Sequence, residues 1–387
     1  MNPSSSDRLY FPGLNGLRFV AAFMVMVSHI EQLKKDENLA NLDHLPIIGQ
    51  SGQNGVSLFF VLSGFLITYL LLQEDRATGT IDIRKFYIRR ILRIWPLYYL
   101  IVGLGFFVLP WCMEASGLQN ALITAYWPKL ILFLLFLPNL AMVAFPQVPF
   151  TAQVWSIGTE EQFYLIWPLL LKKFKSVLPA VLSGIAIGII LLRKSLFILR
   201  DHLAESGFRS GLSLFVEFLN TFNIECMAIG GLGAWLLFND KTKFLHVIYK
   251  PIVQVLLLCG IFASLSTGLF GHVKFRHVVN SLLFIGLILN LAGNPNSLLR
   301  LENKFYRFMG RISYGLYMFH PLCFYLVFYA CKPFIYQGSV LAVNVLIYIF
   351  VFALSTGIAW LSHTLFEKRF LKMKSKFSLI ESGEAPQ

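Results

Sequence analysis

Along this chain, runs of about 20 apolar residues alternate with short polar connections, which is the length that a hydrocarbon core of about 30 Å asks of a helix. The runs lie near 14–31, 55–73, 94–112, 130–144, 154–171, 177–192, 219–238, 251–270, 277–292, 312–331 and 339–362. Eleven helices are therefore predicted, and no soluble domain of normal size is left over. The run at 130–144 stands apart. Its apolar stretch, Leu130 to Leu137, is interrupted by Pro138 and Asn139 and followed by Pro146 and Pro149. That segment is expected to re-enter or to lie at the interface, because a broken helix leaves backbone groups unsatisfied in lipid.

Composition agrees with this pattern. The 387 residues have a mean hydropathy of +0.65 and only 14% charged residues, against about 25% in an ordinary soluble chain. The 37 phenylalanines suit lipid-facing and helix-packing positions. A formal charge of +13 raises nucleic acid as a partner, but the Lys and Arg residues form short blocks between apolar runs and no extended basic face. They read as topology signals, with anionic lipid and an anionic donor such as CoA as partners. If all eleven runs cross, Lys and Arg divide 14 inside to 18 outside, against the positive-inside tendency. With 130–144 not crossing they divide 22 to 10. The expected fold is thus an all-α polytopic bundle of ten crossings plus one re-entrant or interfacial segment, with both termini cytoplasmic. The segment 193–218 fits least well, since it leaves Arg193, Lys194, Arg200 and Arg209 outside. Met1 to Pro12 is too polar for a cleaved signal peptide. The polar end, Ser378 to Gln387, reads as a short disordered cytoplasmic tail. Cys112, Cys226, Cys259, Cys323 and Cys331 have no metal-ligand spacing and read as packing residues, so no metal is expected.

Several polar residues sit where a membrane span tolerates them only for a reason. Arg18 and His29 both lie in the first run, and a charge at the centre of a span costs roughly 2.5–3.5 kcal/mol. Eleven residues apart, they fall within about 20° of one helix face and about 16 Å along its axis. Each alone could be a snorkelling arginine or a helix-end histidine; together they can line one polar path. A neutral imidazole suits general-base work on a hydroxyl near pH 7, and a guanidinium suits phosphates or a carbonyl. In the block Arg84-Lys85-Phe86-Tyr87-Ile88-Arg89-Arg90-Ile91-Leu92-Arg93, Arg90 and Arg93 are i, i+3 neighbours able to grip a phosphate pair, or else mark topology. Glu160 and Glu161 stand about one to two turns inside a crossing helix. Adjacent residues diverge by about 100°, so one of the two is expected to face the cavity of His29 and hold its imidazole, unless both serve packing or capping. His320 lies deep in an apolar run, as a satisfied hydrogen-bonder or a second functional histidine. Gly55, Ser57, Ser63 and Gly64 read as close-packing positions.

Four stretches taken in order, Leu14 to His29 with its Arg-x10-His spacing, Gly55 to Phe65, Arg90 to Tyr99 and Trp155 to Tyr164, resemble membrane acyltransferase family 3. Ser313 to Pro321 and Glu367 match more loosely. The resemblance spans nearly the whole chain. It implies an integral membrane acyltransferase domain over residues 1–377 in a bacterial inner membrane, acetyl-CoA as co-substrate and no metal. The carbohydrate or glycolipid acceptor could be the O-antigen of lipopolysaccharide, another envelope glycan, a lipid-linked oligosaccharide or a small glycoside. It also implies that the histidine at His29 and the arginine at Arg18 are required for transfer, and that Arg90 and Arg93 contact the donor. Ser313, Tyr314 and His320 become candidate substrate-cavity residues. Many relatives carry an extra extracytoplasmic domain after the membrane part. This chain ends about 25 residues after its last run, so it would be expected to bring the acceptor to the membrane domain directly or to hand the acyl group to a partner. A transporter or flippase of a lipid-linked sugar is the rival reading, disfavoured because no inverted repeat or paired broken helices are seen. A glycan ligase or polymerase would offer a larger outer loop than 113–153. Oligomeric state is not encoded in any of these features.

Overall fold

The computed structural model describes residues 8–109, 122–202, 209–267, 276–335, 340–379 and 381–382. These form helices α1 (Leu14–Asp36), α2 (Pro46–Gly49), α3 (Ser51–Thr78), α4 (Ile83–Gly103), α5 (Tyr126–Leu134), α6 (Pro138–Ala144), α7 (Trp155–Phe174) and α8 (Leu178–His202). They continue with α9 (Arg209–Thr221), α10 (Ile224–Phe238), α11 (Thr242–Ile248), α12 (Pro251–Thr267), α13 (Arg276–Gly293), α14 (Lys304–Ile335), α15 (Val340–Ser362) and α16 (Lys368–Ser375). Single π-helical turns extend α4 over Leu104–Val108 and α15 over His363–Glu367. The only strands described are two residues each, β1 (Arg8–Leu9) and β2 (Glu381–Ser382), which pair in parallel and place the two ends of the chain side by side. Part of the tail expected to be disordered is therefore held by backbone hydrogen bonds.

By length and apolar composition, eight helices among the described residues can cross a membrane, or nine when α11 and α12, bent by 63°, count as one span. The run Ala152–His202, with 51 residues, counts once in that number. It is not straight. A Cβ at Gly231 would touch both Trp167 and Leu182, at 2.9 and 3.1 Å, whereas fifteen residues of straight helix would separate those two by about 22 Å. The chain turns through the 3-10 segment Lys175–Val177, so α7 and α8 are two passes. With them apart, ten helices remain for ten crossings. The helices α5 and α6, with 9 and 7 residues, break at Leu135–Leu137 and are too short to span, as the prolines at 138, 146 and 149 predict.

The chain divides into two compact units. One comprises residues 1–62 and 236–387, the other 63–235, and the divisions fall inside α3 and α10. In the first unit α1 and α14 run in the same direction. Near their starts a Cβ at Gly310 would collide with the backbone oxygen of Asn15, an approach only glycine allows, and further along His29 meets His320. The partners of α1 on α3 are Ala21 and Val25 at Gly55 and Ser28 at Gly52, so that pair is antiparallel. α14 and α15 are antiparallel through Gly315 and Ala359, and α12 and α13 through Ser264 and Asn280. In the second unit Trp95 meets Glu161 while Tyr87 meets Leu165, which makes α4 and α7 antiparallel. All these directions match alternate crossings.

At two of the boundaries that differ from the sequence expectation, a charge is neutralised. α4 begins at Ile83, well before the apolar run at 94. Asp82 caps it by accepting from the backbone N–H of Lys85 at 3.0 Å, and Arg89 is paired with Glu74 at 2.7 Å. The basic block is thus helical, as the i, i+3 reading of Arg90 and Arg93 requires. α8 continues to His202, past the expected end at 192, because Arg193 is buried against Glu225 and its Nε also donates to the Leu219 carbonyl at 3.2 Å. Arg193 is accordingly no loop charge, and α9 occupies residues read as an outer connection. Cys112, the end of the 94–112 run and residues 113–121 of the following connection lie outside the described residues, as do 268–270 and 383–387.

Candidate functional site

Two groups of polar side chains are buried among the apolar helices, one in each unit.

The first is a pair of histidines. Nδ1 of His29 on α1 lies 2.7 Å from Nε2 of His320 on α14, with the rings stacked at 5.0 Å between centroids. Nδ1 of His320, which is 1% exposed, lies 2.8 Å from the carbonyl oxygen of Tyr317. A carbonyl only accepts, so His320 Nδ1 carries a proton. In the neutral ring its Nε2 is then a lone pair, which must accept from His29 Nδ1–H. The second nitrogen of His29, Nε2, is left as a bare lone pair. One backbone carbonyl thereby fixes both tautomers and presents a single base atom. Two residues further along α1, Glu31 accepts from Lys34 Nζ at 2.6 Å, from the Tyr348 hydroxyl at 2.6 Å and from the backbone N–H of Leu42. Glu31 and Lys34 are both 0% exposed, and the hydrogen bond from Tyr348 ties this buried pair at the end of α1 to α15.

The second group lies on α3, α4 and α7. Glu160 accepts from Ser63 at 2.7 Å and from the Tyr164 hydroxyl at 2.9 Å, so both its oxygens are engaged. Glu161 accepts from Trp95 Nε1 at 2.9 Å through one oxygen, while its other oxygen is buried without a partner. The guanidinium of Arg90 sits over the rings of Phe86 and Tyr164, at 5.5 and 5.4 Å, and its Nε is likewise buried and unpartnered. Arg93 is half-buried one turn further on.

The remaining candidates are placed as follows. Arg18 Nη1 donates to Asn15 at 3.0 Å on its own helix, eleven residues before His29. Ser313 is buried and donates to the Gly310 carbonyl at 2.8 Å, which satisfies its hydroxyl, and Tyr314 beside it is half-buried. The nitrogen of His29 that an orienting carboxylate would hold is bonded to His320, while Glu160 and Glu161 bond to Ser63, Tyr164 and Trp95. Ser63 is therefore more than a packing residue. Among the described residues, no three His, Cys, Asp or Glu side chains are grouped to hold a metal.

The family model described as "Acyltransferase domain" (Acyl_transf_3) matches residues 11–364. The chain belongs to this acyltransferase family. The match takes in both polar groups. Over 98% of its length the chain is 25% identical to a Staphylococcus aureus (strain MRSA252) protein named "Putative O-acetyltransferase", covering 60% of that protein. Over 45% of its length it is 32% identical to a Bacillus subtilis protein named "Putative peptidoglycan O-acetyltransferase", covering 26% of it. Over 48% it is 30% identical to the peptidoglycan O-acetyltransferase OatA of Listeria monocytogenes, covering 28% of it. The chain thus spans from about a quarter to three fifths of the length of these relatives. No solved structure matches it.

Sequence reasoning named His320 but not its role. The pairing joins residues 291 positions apart, and nothing local marks it. The engagement of Ser63, Trp95 and Tyr164 with the carboxylates was missed for the same reason.

Proposed function

We propose that this membrane acyltransferase moves an acetyl group from acyl-CoA to a hydroxyl of an envelope carbohydrate, with Nε2 of His29 as the general base. The observation that carries the reading is the chain from the Tyr317 carbonyl through His320 to His29, which leaves one lone pair, on His29 Nε2. The acceptor hydroxyl attacks the thioester carbonyl carbon and gives its proton to His29 Nε2. The C–S bond breaks, and the departing CoA thiolate takes the proton back from the imidazolium. An ester is formed and the ring returns neutral. His320 takes the orienting role expected of Glu160 or Glu161, since its lone pair keeps the proton of His29 on Nδ1 throughout. The donor is an anion, and Arg90 and Arg93 are the residues proposed to meet it. Arg90 has an unused buried donor, and an unmade hydrogen bond there costs about 1–3 kcal/mol until something fills it. Arg18, on the face of α1 that carries His29, is proposed to position the reactive end of the donor.

The acceptor class follows the names of the relatives, two of which refer to peptidoglycan; the O-antigen belongs to the same chemical class of hydroxyl-bearing glycans. A bacterial inner-membrane location with both ends cytoplasmic is supported by the 22 to 10 charge division and by the pairing of β1 with β2, which puts both ends on one side. Purified protein in lipid vesicles, given acetyl-CoA and a glycan acceptor, should release free thiol and raise the glycan mass by one acetyl group. Glycans from cells with and without the gene should differ by the same mass. Absence of thiol release with every glycan, alongside transport of an intact lipid-linked sugar, would replace this reading with the flippase.

A further inference from the structure

A second polar arrangement in the unit that holds His29 has no part in the chemistry above. Ser264 on α12 donates to Asn280 Oδ1 on α13 at 2.6 Å, and Asn280 Nδ2 donates to Asn54 Oδ1 on α3 at 2.7 Å. Asn280 and Asn54 are 1% and 2% exposed. The ladder ends there, because Nδ2 of Asn54 is buried and has no acceptor. Reversing every amide would turn this orphan donor into an orphan acceptor, so an unfilled polar atom remains in either orientation. One helical turn earlier, Gln50 carries a buried Oε1 with no donor. The backbone N–H of Asn54 donates to the Gln50 carbonyl at 3.2 Å, so the two side chains leave the same face, about 5–6 Å apart at Cβ.

Such atoms are expensive to leave empty in an apolar bundle. Their chemistry is also selective. A group that fills both must donate to Gln50 and accept from Asn54, as a sugar hydroxyl or an N-acetyl amide does. A phosphate oxygen only accepts and an acyl chain does neither. The position fits an acceptor. Ser28, immediately before His29, approaches the Gly49 carbonyl at 3.5 Å, and a Cβ at Gly52 would lie 2.8 Å from its hydroxyl. The turn that carries Gln50 is thus packed on the segment of α1 that carries the base. At the exposed rim of the same face, Arg276 donates to Gln53 at 2.7 Å.

We infer that Gln50 and Asn54 form a carbohydrate subsite that holds the acceptor beside His29; this rests on the reading of the acceptor as a glycan. The test is binding of N-acetylglucosamine tetrasaccharide to the full chain in detergent, followed by saturation-transfer NMR, with acetyl-CoA consumption measured on the same samples. Gln50→Leu removes a side chain that makes no hydrogen bond and should fold normally, yet weaken binding about five- to tenfold. Asn54→Leu should do the same, and Gln50→Glu, which keeps the accepting oxygen, should bind within about twofold of the wild type. Equal binding by wild type and Gln50→Leu, or no saturation transfer to the wild type, would mean a water-filled gap and overturn the subsite. Binding that depends on Gln50 in protein that consumes no acetyl-CoA would keep the subsite and remove the acyl-transfer reading.

Discussion

The histidine pair and the carboxylate–arginine group are both buried polar networks, and what each leaves unfilled is different. Around His29 and His320 three ring nitrogens are engaged, and the one left over is a lone pair. Around Glu160, Glu161 and Arg90 the atoms left over are a carboxylate oxygen and a guanidinium N–H. A lone pair on a neutral ring takes a proton and gives it back. An unfilled charged donor and acceptor wait for a ligand. The first arrangement suits a chemical step and the second suits binding, and a kinetic split should separate them.

The largest effect is expected from His29→Ala. Loss of a positioned base should lower kcat by about 10²–10⁴ and leave the KM for acetyl-CoA nearly unchanged, because the residue acts in the transition state. Wild-type turnover in this variant would end the assignment and make His320 the next candidate.

Replacing Arg90 and Arg93 together by Gln should do the reverse. Hydrogen bonds to charged groups contribute about 1.5–3 kcal/mol, so the donor KM should rise by roughly ten- to a hundredfold with little change in that of the acceptor. An unchanged donor KM would leave the pair as topology signals and dissolve the contrast.

His320 gives a finer test. Its proposed role is to accept from His29 Nδ1, so His320→Ala should reduce kcat by roughly tenfold, less than loss of the base itself. His320→Gln keeps an acceptor and should recover most of that rate. If Gln and Ala behave alike, the tautomer argument fails.

The smallest effect concerns the start of α4, which carries the arginines. The Lys85 backbone N–H holds the Asp82 carboxyl below the usual aspartate value against the opposing influence of desolvation, with the Lys85 side chain adding a lesser lowering. A depressed folded-state value means that the cap stabilises fully above the ordinary aspartate pKa and is lost as pH falls through the lower, folded one. Asp82→Asn should flatten the acid limb of thermal stability, and Asp82→Ala should cost at most about 1 kcal/mol at neutral pH. An acid limb identical in Asp82→Asn would show that other carboxylates govern it.

Much of this protein was legible in one dimension. Apolar length is a local property, so the crossing helices could be counted from runs of residues, and the prolines after Leu137 marked the segment that does not cross. Paired charges blurred the boundaries. Arg193 read as an outer loop charge because its neutraliser, Glu225, lies 32 positions away, and the helix start at Ile83 was not marked by the apolar run, which begins only near 94, because the pairing of Arg89 with Glu74 and the cap at Asp82 lie outside that run. The sequence by itself determined that Arg18 and His29 share a face, that Glu160 and Glu161 point apart, and that ordered motifs of an acyltransferase are present. Only the tertiary structure decided which partner holds His29, because a hydrogen bond between residues 291 positions apart depends on the packing of α1 against α14 at Gly310, and helical periodicity does not encode it. The same reason hid Asn54 and Gln50. An amide in an apolar run looks like a tolerated polar residue until its neighbours show that one of its atoms has nothing to bond.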